Sequence, residues 1–150
     1  MRVNRENINK GDGIMATRSN IVLNKDEKYY VIYANWDGYP SYNGKILLEY
    51  YTDSEKIWAL IQLGSILGLG SKIGDKHDFN NPPKDTVNAY FRDKEEDWEG
   101  TKYKTFDNLE DALEICNNDY TYLFKDEKWT FRKWDGKFHE LTKAVVLNEG

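Results

Sequence analysis

The chain has 150 residues, of which 21 are Lys or Arg and 26 are Asp or Glu, so its formal net charge is −5. A single Cys excludes an intramolecular disulfide framework, and no apolar run approaches the roughly 18 residues that a membrane span requires. Disordered chains are poor in aromatic residues, whereas this one contains 5 Trp, 11 Tyr and 6 Phe. We therefore expect a folded domain with a polar surface, located in the cytoplasm because no signal-peptide pattern is visible.

The chain begins with a polar segment that differs from the rest. Residues 1–14 show no hydrophobic periodicity, so we expect disorder there, and either Met1 or Met15 serves as the native start. The remainder, 15–147, has the length of one domain. It opens with a predicted β-hairpin, whose strands lie at 21–23 and 29–35 on either side of a polar turn.

Two helices and a long connection are predicted next. Apolar residues at helical spacing indicate a helix over 41–51, with Ser41 as its N-cap. The pattern at 52–55 resembles a capping box and predicts a second helix that ends near Gly64. Repeated glycines and a Pro-Pro pair indicate an irregular connection over 64–84, and loops of this length are usually functional or mobile.

The second half of the chain predicts strands, one helix and a meander. Strands are expected at 86–92 and 102–106, with an acidic loop at 94–100 between them. A helix over 107–117 follows, and a three-strand meander at 120–124, 129–132 and 137–141 ends the domain. The predicted fold class is therefore α+β, a single domain in which about three helices pack on an antiparallel sheet of hairpins with a C-terminal meander.

Charge is distributed unevenly along the chain. Residues 93–119 contain ten acidic and three basic residues, which gives a local charge of −7. Such a segment could dock on the basic groove of a partner, as a nucleic-acid mimic does, and Glu95, Glu96 and Asp97 are its candidate contacts. The alternative is a solvated loop followed by an ordinary helix face. The acidic balance argues against direct binding of nucleic acid.

Catalytic and metal-binding patterns are scarce. One Cys and two His residues are too few for a structural zinc site, and the phosphate-binding glycine motifs are absent. Asp75, His77 and Asp78 form the best candidate cluster for acid–base chemistry or for binding a divalent cation, although a polar loop with one His is most often only a solvated loop. Cys116 lies on the apolar face of a predicted helix and is expected in the core. We assign no catalytic residue, metal or cofactor.

A second candidate site lies where the first predicted hairpin leads into a helix. Polar and aromatic residues concentrate there, and loops at such points often bind ligands. The backbone amides at 43–45 could bind a small anionic ligand, with help from a nearby Arg. The alternative is that these residues only anchor the core and the turn. The candidate ligand- or partner-binding residues are Arg18, Asn35, Trp36, Asp37, Tyr39, Asn43 and Lys45.

Several of these residues belong to a recognisable pattern. The motifs are Thr17-Arg18-Ser19, Trp36-Asp37-Gly38-Tyr39, Asn43-Gly44 before Leu47-Leu48, and Gly74-Asp75-Lys76-His77-Asp78. Over roughly 16–79 the chain resembles a family of small, uncharacterised proteins encoded by phages and prophages. Asn35 stands where that family often has His, which argues against acid–base chemistry at this position.

The resemblance implies a phage or prophage origin, and small non-structural phage proteins often disarm host defences. We therefore expect a non-enzymatic accessory protein in the host cytoplasm that binds and inhibits or modulates a host component, for example one of its immune defences. The alternatives are a small-ligand or nucleotide-binding protein and, third, an enzyme that uses Asp75, His77 and Asp78. The many aromatic residues also make a homo-oligomer plausible.

Overall fold

The computed structural model describes residues 17–134 and 136–148. The predicted disorder at 1–14 and the choice between Met1 and Met15 lie outside the described residues. In these ranges eight strands form one sheet, with five short α-helices around it, so the α+β prediction is confirmed. None of the helices described is long and apolar enough to cross a membrane.

The sheet combines two hairpins and several short strands. Its strands are β1 (Ser19–Lys25), β2 (Lys28–Ala34), β3 (Ile66–Gly68), β4 (Asn88–Ala89), β5 (Lys104–Phe106), β6 (Tyr120–Lys125), β7 (Lys128–Lys133) and β8 (His139–Glu140). Their order is β4-β3-β2-β1-β6-β7-β8, and β5 also pairs with β2. The β1–β6 and β2–β3 pairs are parallel, whereas the other pairs are antiparallel. The predicted first hairpin and C-terminal meander are therefore confirmed, and the parallel pairs were not predicted.

Both hairpins turn on the same pair of residue types. Asp26 and Glu27 connect β1 to β2 with φ of 52° and 64°, and Asp126 and Glu127 connect β6 to β7 with φ of 54° and 65°. Positive φ at both central residues is the mark of a type I′ turn, whose twist matches that of the flanking strands. The strands consequently run up to two-residue turns. β1, β6 and β7 are longer than the pattern predicted, whereas β2 has the predicted length of seven residues and begins one residue earlier.

The helices are α1 (Lys45–Tyr50), α2 (Ser54–Ile61), α3 (Trp98–Thr101), α4 (Leu109–Glu114) and α5 (Lys143–Asn148). Asp53 caps α2 by accepting a hydrogen bond from the Lys56 amide, and Asn108 caps α4 in the same way. Ser41 is not an N-cap, because a π-helical turn, Pro40–Gly44, precedes α1 and contains it. The three predicted helices correspond to α1, α2 and α4, while α3 lies in the predicted acidic loop and α5 was not foreseen.

Two clusters of buried side chains cover the two faces of the sheet. The main cluster joins one face to α1 and α2, and Ile21, Leu47 and Ile57 are fully buried there. The smaller cluster packs α4 on the opposite face, where Val22 and Cys116 are buried. Burial raises the pKa of the Cys116 thiol to about 11, so this residue is a core side chain and a poor nucleophile, as expected.

The long connection and the strand predicted after it differ from expectation. Part of the predicted irregular segment 64–84 forms β3, which pairs with both β2 and β4. The strand predicted at 86–92 is reduced to β4, because the chain turns again directly after Ala89. A single parallel bridge between Lys72 and Thr86 closes the connection into a loop.

The first turn provides a test of backbone strain. Replacing Glu27, whose φ is 64°, with Gly removes the cost of a left-handed residue but adds freedom to the unfolded chain. We expect Glu27→Gly to raise the free energy of unfolding by roughly 0.5–1 kcal/mol in urea denaturation. The control is Glu27→Ala, which removes the same charge and keeps the strain. Equal gains from Gly and Ala would show that charge, not backbone strain, is responsible.

Candidate functional site

An open groove of about 400 Å³ lies beside the end of β2. The chain leaves β2 at Ala34 and stays attached to β3, since the amides of Asn35 and Trp36 donate hydrogen bonds of 3.0 Å to the carbonyls of Ile66 and Leu67. Residues 67–71, which include the end of β3, form the floor of the groove. One wall comes from the turn and α1, and the other from the Pro-Pro segment. We call this feature the Trp36 groove; it is lined by Trp36, Asp37, Tyr42, Ile46, Tyr50, 67–71, 82–86 and Asn88.

The walls of the Trp36 groove are rich in accessible aromatic and apolar surface. Trp36 and Tyr42 are each 43% exposed, and Tyr50 is 50% exposed. Pro82 and Pro83 are exposed on the facing wall. Large aromatic side chains at this level of exposure are the residue types that most often carry binding energy at protein interfaces. The groove is therefore suited to bind apolar groups.

The floor of the groove is built from small residues. A Cβ added to Gly68 would meet no atom within 4 Å, so this position faces open space. A Cβ added to Gly70 would lie 2.4 Å from the carbonyl oxygen of Asp85, so the backbones of the floor and the far wall approach closely there. Gly68 thus leaves open space above the floor, whereas Gly70 allows two backbone segments to lie in close contact.

The structure brings together only part of the predicted cluster at the end of β2. Trp36 and Asp37 line the groove, and the Tyr39 hydroxyl donates a hydrogen bond to Asp37 Oδ1 at 3.3 Å. Asn35 is instead held between two tyrosines, accepting from the Tyr33 hydroxyl at 2.9 Å and donating to the Tyr90 hydroxyl at 3.1 Å. The Asn35 side chain is therefore occupied in a structural bridge.

The other members of that cluster, Arg18, Asn43 and Lys45, do not line the groove. Asn43 is buried and donates to the Trp36 carbonyl at 3.1 Å. The Arg18 amide donates to Asp119 Oδ2 at 3.1 Å. No ion pair joins Arg18 to Asp37 in the part of the chain that the structure describes. Lys45 is exposed on α1 and does not line the groove.

The predicted anion site at residues 43–45 is wrong. The Asn43 amide donates to the Asp37 carbonyl at 3.1 Å, and the Gly44 amide donates to the Tyr39 carbonyl at 3.5 Å. The Lys45 amide donates to carbonyls of the π-helical turn, Pro40–Gly44. Because the turn uses these three donors internally, no open helix end remains to bind an anion.

The predicted acid–base cluster also does not converge. His77 turns inward with only 8% of its side chain exposed, and its Nε2 lies 2.9 Å from Asn88 Oδ1 and 3.6 Å from Asp93 Oδ2. Asp75 and Asp78 are exposed, and Asp78 accepts a hydrogen bond from the Asn80 amide. Within the described residues, no group of three His, Cys, Asp or Glu side chains could hold a metal ion.

The partner of His77 is a buried ion pair that the sequence pattern did not reveal. Asp93 has a fully buried side chain and accepts hydrogen bonds of 2.9 and 3.1 Å from Arg92 Nε and Nη2. The amides of Ala89 and His77 donate to the same carboxylate at 2.7 and 3.2 Å. Burial alone would raise the pKa of Asp93, but the Arg92 guanidinium and these two amides outweigh it, so that the pKa lies below its usual range.

The acidic segment 93–119 is less strongly negative than its composition indicates. Besides Asp93, four of its carboxylates lie against lysines, in the pairs Lys76–Glu95, Lys94–Glu96, Lys102–Glu99 and Lys28–Asp107. Asp97 caps α3 by accepting a hydrogen bond from the Gly100 amide. The three predicted contacts Glu95, Glu96 and Asp97 are therefore already engaged within the chain, which favours the alternative of a solvated, internally paired surface.

Several groove residues were missed by the sequence interpretation. Tyr50 was expected on the apolar face of a helix, and Pro82 and Pro83 were interpreted only as breaks in the chain. The exposed pair of prolines near a glycine-rich stretch was the available signal, but nothing local indicated that it lines the same groove as α1.

Comparison with protein-family models, with curated proteins and with solved structures finds no significant match for this chain. The resemblance to phage proteins accordingly stays a prediction.

The Arg92–Asp93 pair generates a stability prediction. Asp93→Asn removes the buried carboxylate and leaves the Arg92 charge without its partner, so we expect the free energy of unfolding at pH 7 to fall by about 3 kcal/mol. Because the folded-state pKa of Asp93 is lowered, its contribution is complete above the unfolded-state pKa of about 3.9 and is lost as the pH falls through the folded-state value. The variant should therefore lose less stability on acidification than the wild type.

The measurement is urea denaturation followed by circular dichroism at neutral pH and at about pH 3. Glu110→Gln is the control, because Glu110 is exposed and forms no ion pair with the described residues. Because Glu110 lies in the first turn of α4, where a carboxylate contributes about 0.3–1 kcal/mol, its replacement should lower the free energy of unfolding at neutral pH by less than about 1 kcal/mol. If Asp93→Asn behaved like Glu110→Gln, the network would not stabilise the fold.

Proposed function

We propose that this chain is a non-enzymatic phage accessory protein that binds and inhibits or modulates a host protein through the Trp36 groove. The observation that carries the proposal is the groove itself, which is lined jointly by exposed aromatic residues, glycines and two prolines. Such a surface offers large apolar contacts with little side-chain entropy to lose. The occupant that fits it is an extended segment of a partner protein with apolar side chains.

The acidic loop is a weaker candidate interface than the Trp36 groove. Glu95 and Glu96 already contact lysines and Asp97 caps α3, so docking of the acidic loop on a basic partner would have to break these contacts first. Surface ion pairs contribute only about 0–1 kcal/mol each, so that cost is modest. The exposed aromatic side chains of the groove, by contrast, gain energy in proportion to the apolar area that a partner covers, and they are therefore the stronger candidate interface.

The side chains with reactive chemistry support a binding function over an enzymatic one. His77 is held between Asn88 and Asp93, and Cys116 is buried with its pKa raised. A general base must reach a substrate proton, and a nucleophilic Cys must ionise. Neither His77 nor Cys116 lines the Trp36 groove.

A small-ligand function remains the second candidate, favoured by the dimensions of the groove. Its volume of about 400 Å³ falls within the range of about 300–1,000 Å³ that is common for ligand sites. Lys84, Asp85 and Ser71 provide polar groups beside the aromatic wall. Trp36 borders the groove and is 43% exposed, so a bound nucleotide should quench its fluorescence.

Substitutions in the groove test the main proposal. Tyr50→Ala removes an exposed aromatic side chain, and Gly68→Leu places a side chain where an added Cβ meets no atom. We expect each change to weaken binding of the host protein by about tenfold or more, since a hot-spot aromatic contributes about 2 kcal/mol or more. The measurement is quantitative affinity capture from bacterial host lysate with mass spectrometry, followed by titration of the purified partner.

Two controls make the result decisive. Phe91→Ala removes an aromatic side chain that is 44% exposed and lies outside the groove, and it should leave capture unchanged. A Glu110→Gln/Glu114→Gln variant tests acidic docking in the same assay. A partner lost with the acidic variant but retained with Tyr50→Ala and Gly68→Leu would refute the groove. Saturable quenching of Trp36 by ATP or NAD, without any protein partner, would favour the small-ligand function.

A further inference from the structure

A second cavity, separate from the Trp36 groove, lies at a gap in the edge of β2. On this edge β5 pairs with Tyr29–Val31 and β3 pairs with Ala34. In the described residues no strand faces Ile32 and Tyr33 between them, and a cavity of about 320 Å³ lies at this gap. We call it the β2-edge cavity. It shares no lining residue with the Trp36 groove.

The charge of this cavity is opposite to that of the chain. Lys102 and Lys104 line it, and none of the described residues around it is Asp or Glu. This absence of carboxylates is notable because acidic residues outnumber basic ones in the whole chain, and residues 93–119 are the most acidic part of it. Lys102 contacts Glu99 at an exposed position, and Lys104 forms no ion pair with the described residues. The cavity therefore offers one positive charge, that of Lys104, which has no carboxylate partner among the described residues, beside a second lysine that is paired with Glu99.

Neutral hydrogen-bond donors complement the two lysines. The Asn35 amide donates to Ile66, and alternate residues of a strand direct their amides to the same edge, so the Tyr33 amide faces the gap. The Asn118 side chain is fixed by a 2.8 Å hydrogen bond from its Nδ2 to Asn20 Oδ1, and Asn20 is only 4% exposed. An amide nitrogen carries two hydrogens, so Asn118 retains one further donor.

Apolar surface in this cavity comes from Ile115. It is 38% exposed at the end of α4, whereas Val31, which also lines the cavity, is only 2% exposed. A bare inorganic ion would leave this apolar surface in contact with water. An organic group attached to an anion would cover it, which adds apolar burial to the charge-assisted contacts.

We propose that the β2-edge cavity binds a small organic phosphate of mononucleotide size, with the phosphate on Lys104 and Lys102 and the organic part against Ile115. Phosphate oxygens accept several hydrogen bonds at once, which matches the two ammonium groups together with the Tyr33 and Asn118 amides. The site is independent of the Trp36 groove, so either assignment can fail without the other.

Titration calorimetry and amide NMR on the full chain test this site with four probes: AMP, ribose 5-phosphate, inorganic phosphate and adenosine. We expect AMP and ribose 5-phosphate to bind, inorganic phosphate to bind at least about tenfold more weakly than AMP, and adenosine not to bind. Lys104→Gln should weaken AMP binding by about tenfold, because a hydrogen bond to a charged group contributes about 1.5–3 kcal/mol. AMP should shift the Tyr33 and Asn118 amide signals.

Lys128→Gln is the matched control, because it removes the same charge from an exposed residue outside the cavity. It should change AMP affinity by less than about twofold, since exposed charges are screened by salt. The proposal is overturned if neither AMP nor ribose 5-phosphate binds, or if Lys104→Gln and Lys128→Gln weaken binding equally. Inorganic phosphate binding as tightly as AMP would also overturn it, because the apolar surface of Ile115 would then contribute nothing. Thermal unfolding of each variant confirms that the fold is intact.

Discussion

The parallel pairing of β1 with β6 is the constraint on which the rest of this structure depends. It joins two hairpins about a hundred residues apart, with Ser19 beside Tyr120 and Leu23 beside Phe124, and it makes β1 the centre of the sheet. The Tyr122 hydroxyl donates a 2.6 Å hydrogen bond to the Gly38 carbonyl, so the second hairpin also fixes the turn after β2. A Cβ at Gly38 would lie 2.9 Å from atoms of the β1 entry, so only glycine allows the turn to cross so closely. That crossing places Trp36 beside β3.

Elements that depend on near neighbours in the chain could be predicted, whereas those that depend on distant partners could not. The aromatic and β-branched residues of β2 indicate a strand on their own, and Asn108 caps α4 through a hydrogen bond to the Asp111 amide three residues later. The β1–β6 pair has no local signature, because parallel strands are set by residues far apart in sequence. β3 was missed for a related reason: Gly68 weakens its strand pattern, and its position is fixed by pairing with both β2 and β4.

The residues of the candidate site could likewise be predicted only in part. Trp36 and Asp37 follow a strong strand, and their place at its end made them candidates before the opposite wall was known. The far wall could not be inferred, because Pro82 lines the same groove as Tyr50 only once the whole intervening chain has folded back. The sequence around His77 indicated an acid–base cluster that the structure does not assemble, and the reason is physical. A His between two Asp residues resembles acid–base chemistry in sequence, but its carboxylate neighbour in space is Asp93, and the adjacent Asp75 and Asp78 face solvent.

The polar side chains beneath the Trp36 groove order the segment that lines it. Arg92 donates to the carbonyls of Ile73, Gly74 and Val87, so one guanidinium ties both sides of the loop between β3 and β4. The Tyr51 hydroxyl and the Lys56 ammonium donate to the carbonyls of Gly70 and Ser71, which fixes the groove floor against α2. These contacts order a segment that would otherwise lose conformational entropy on binding. These polar side chains thus preorganise the floor and far wall of the groove, so that an occupant of the groove would not have to offset the entropy of ordering this loop.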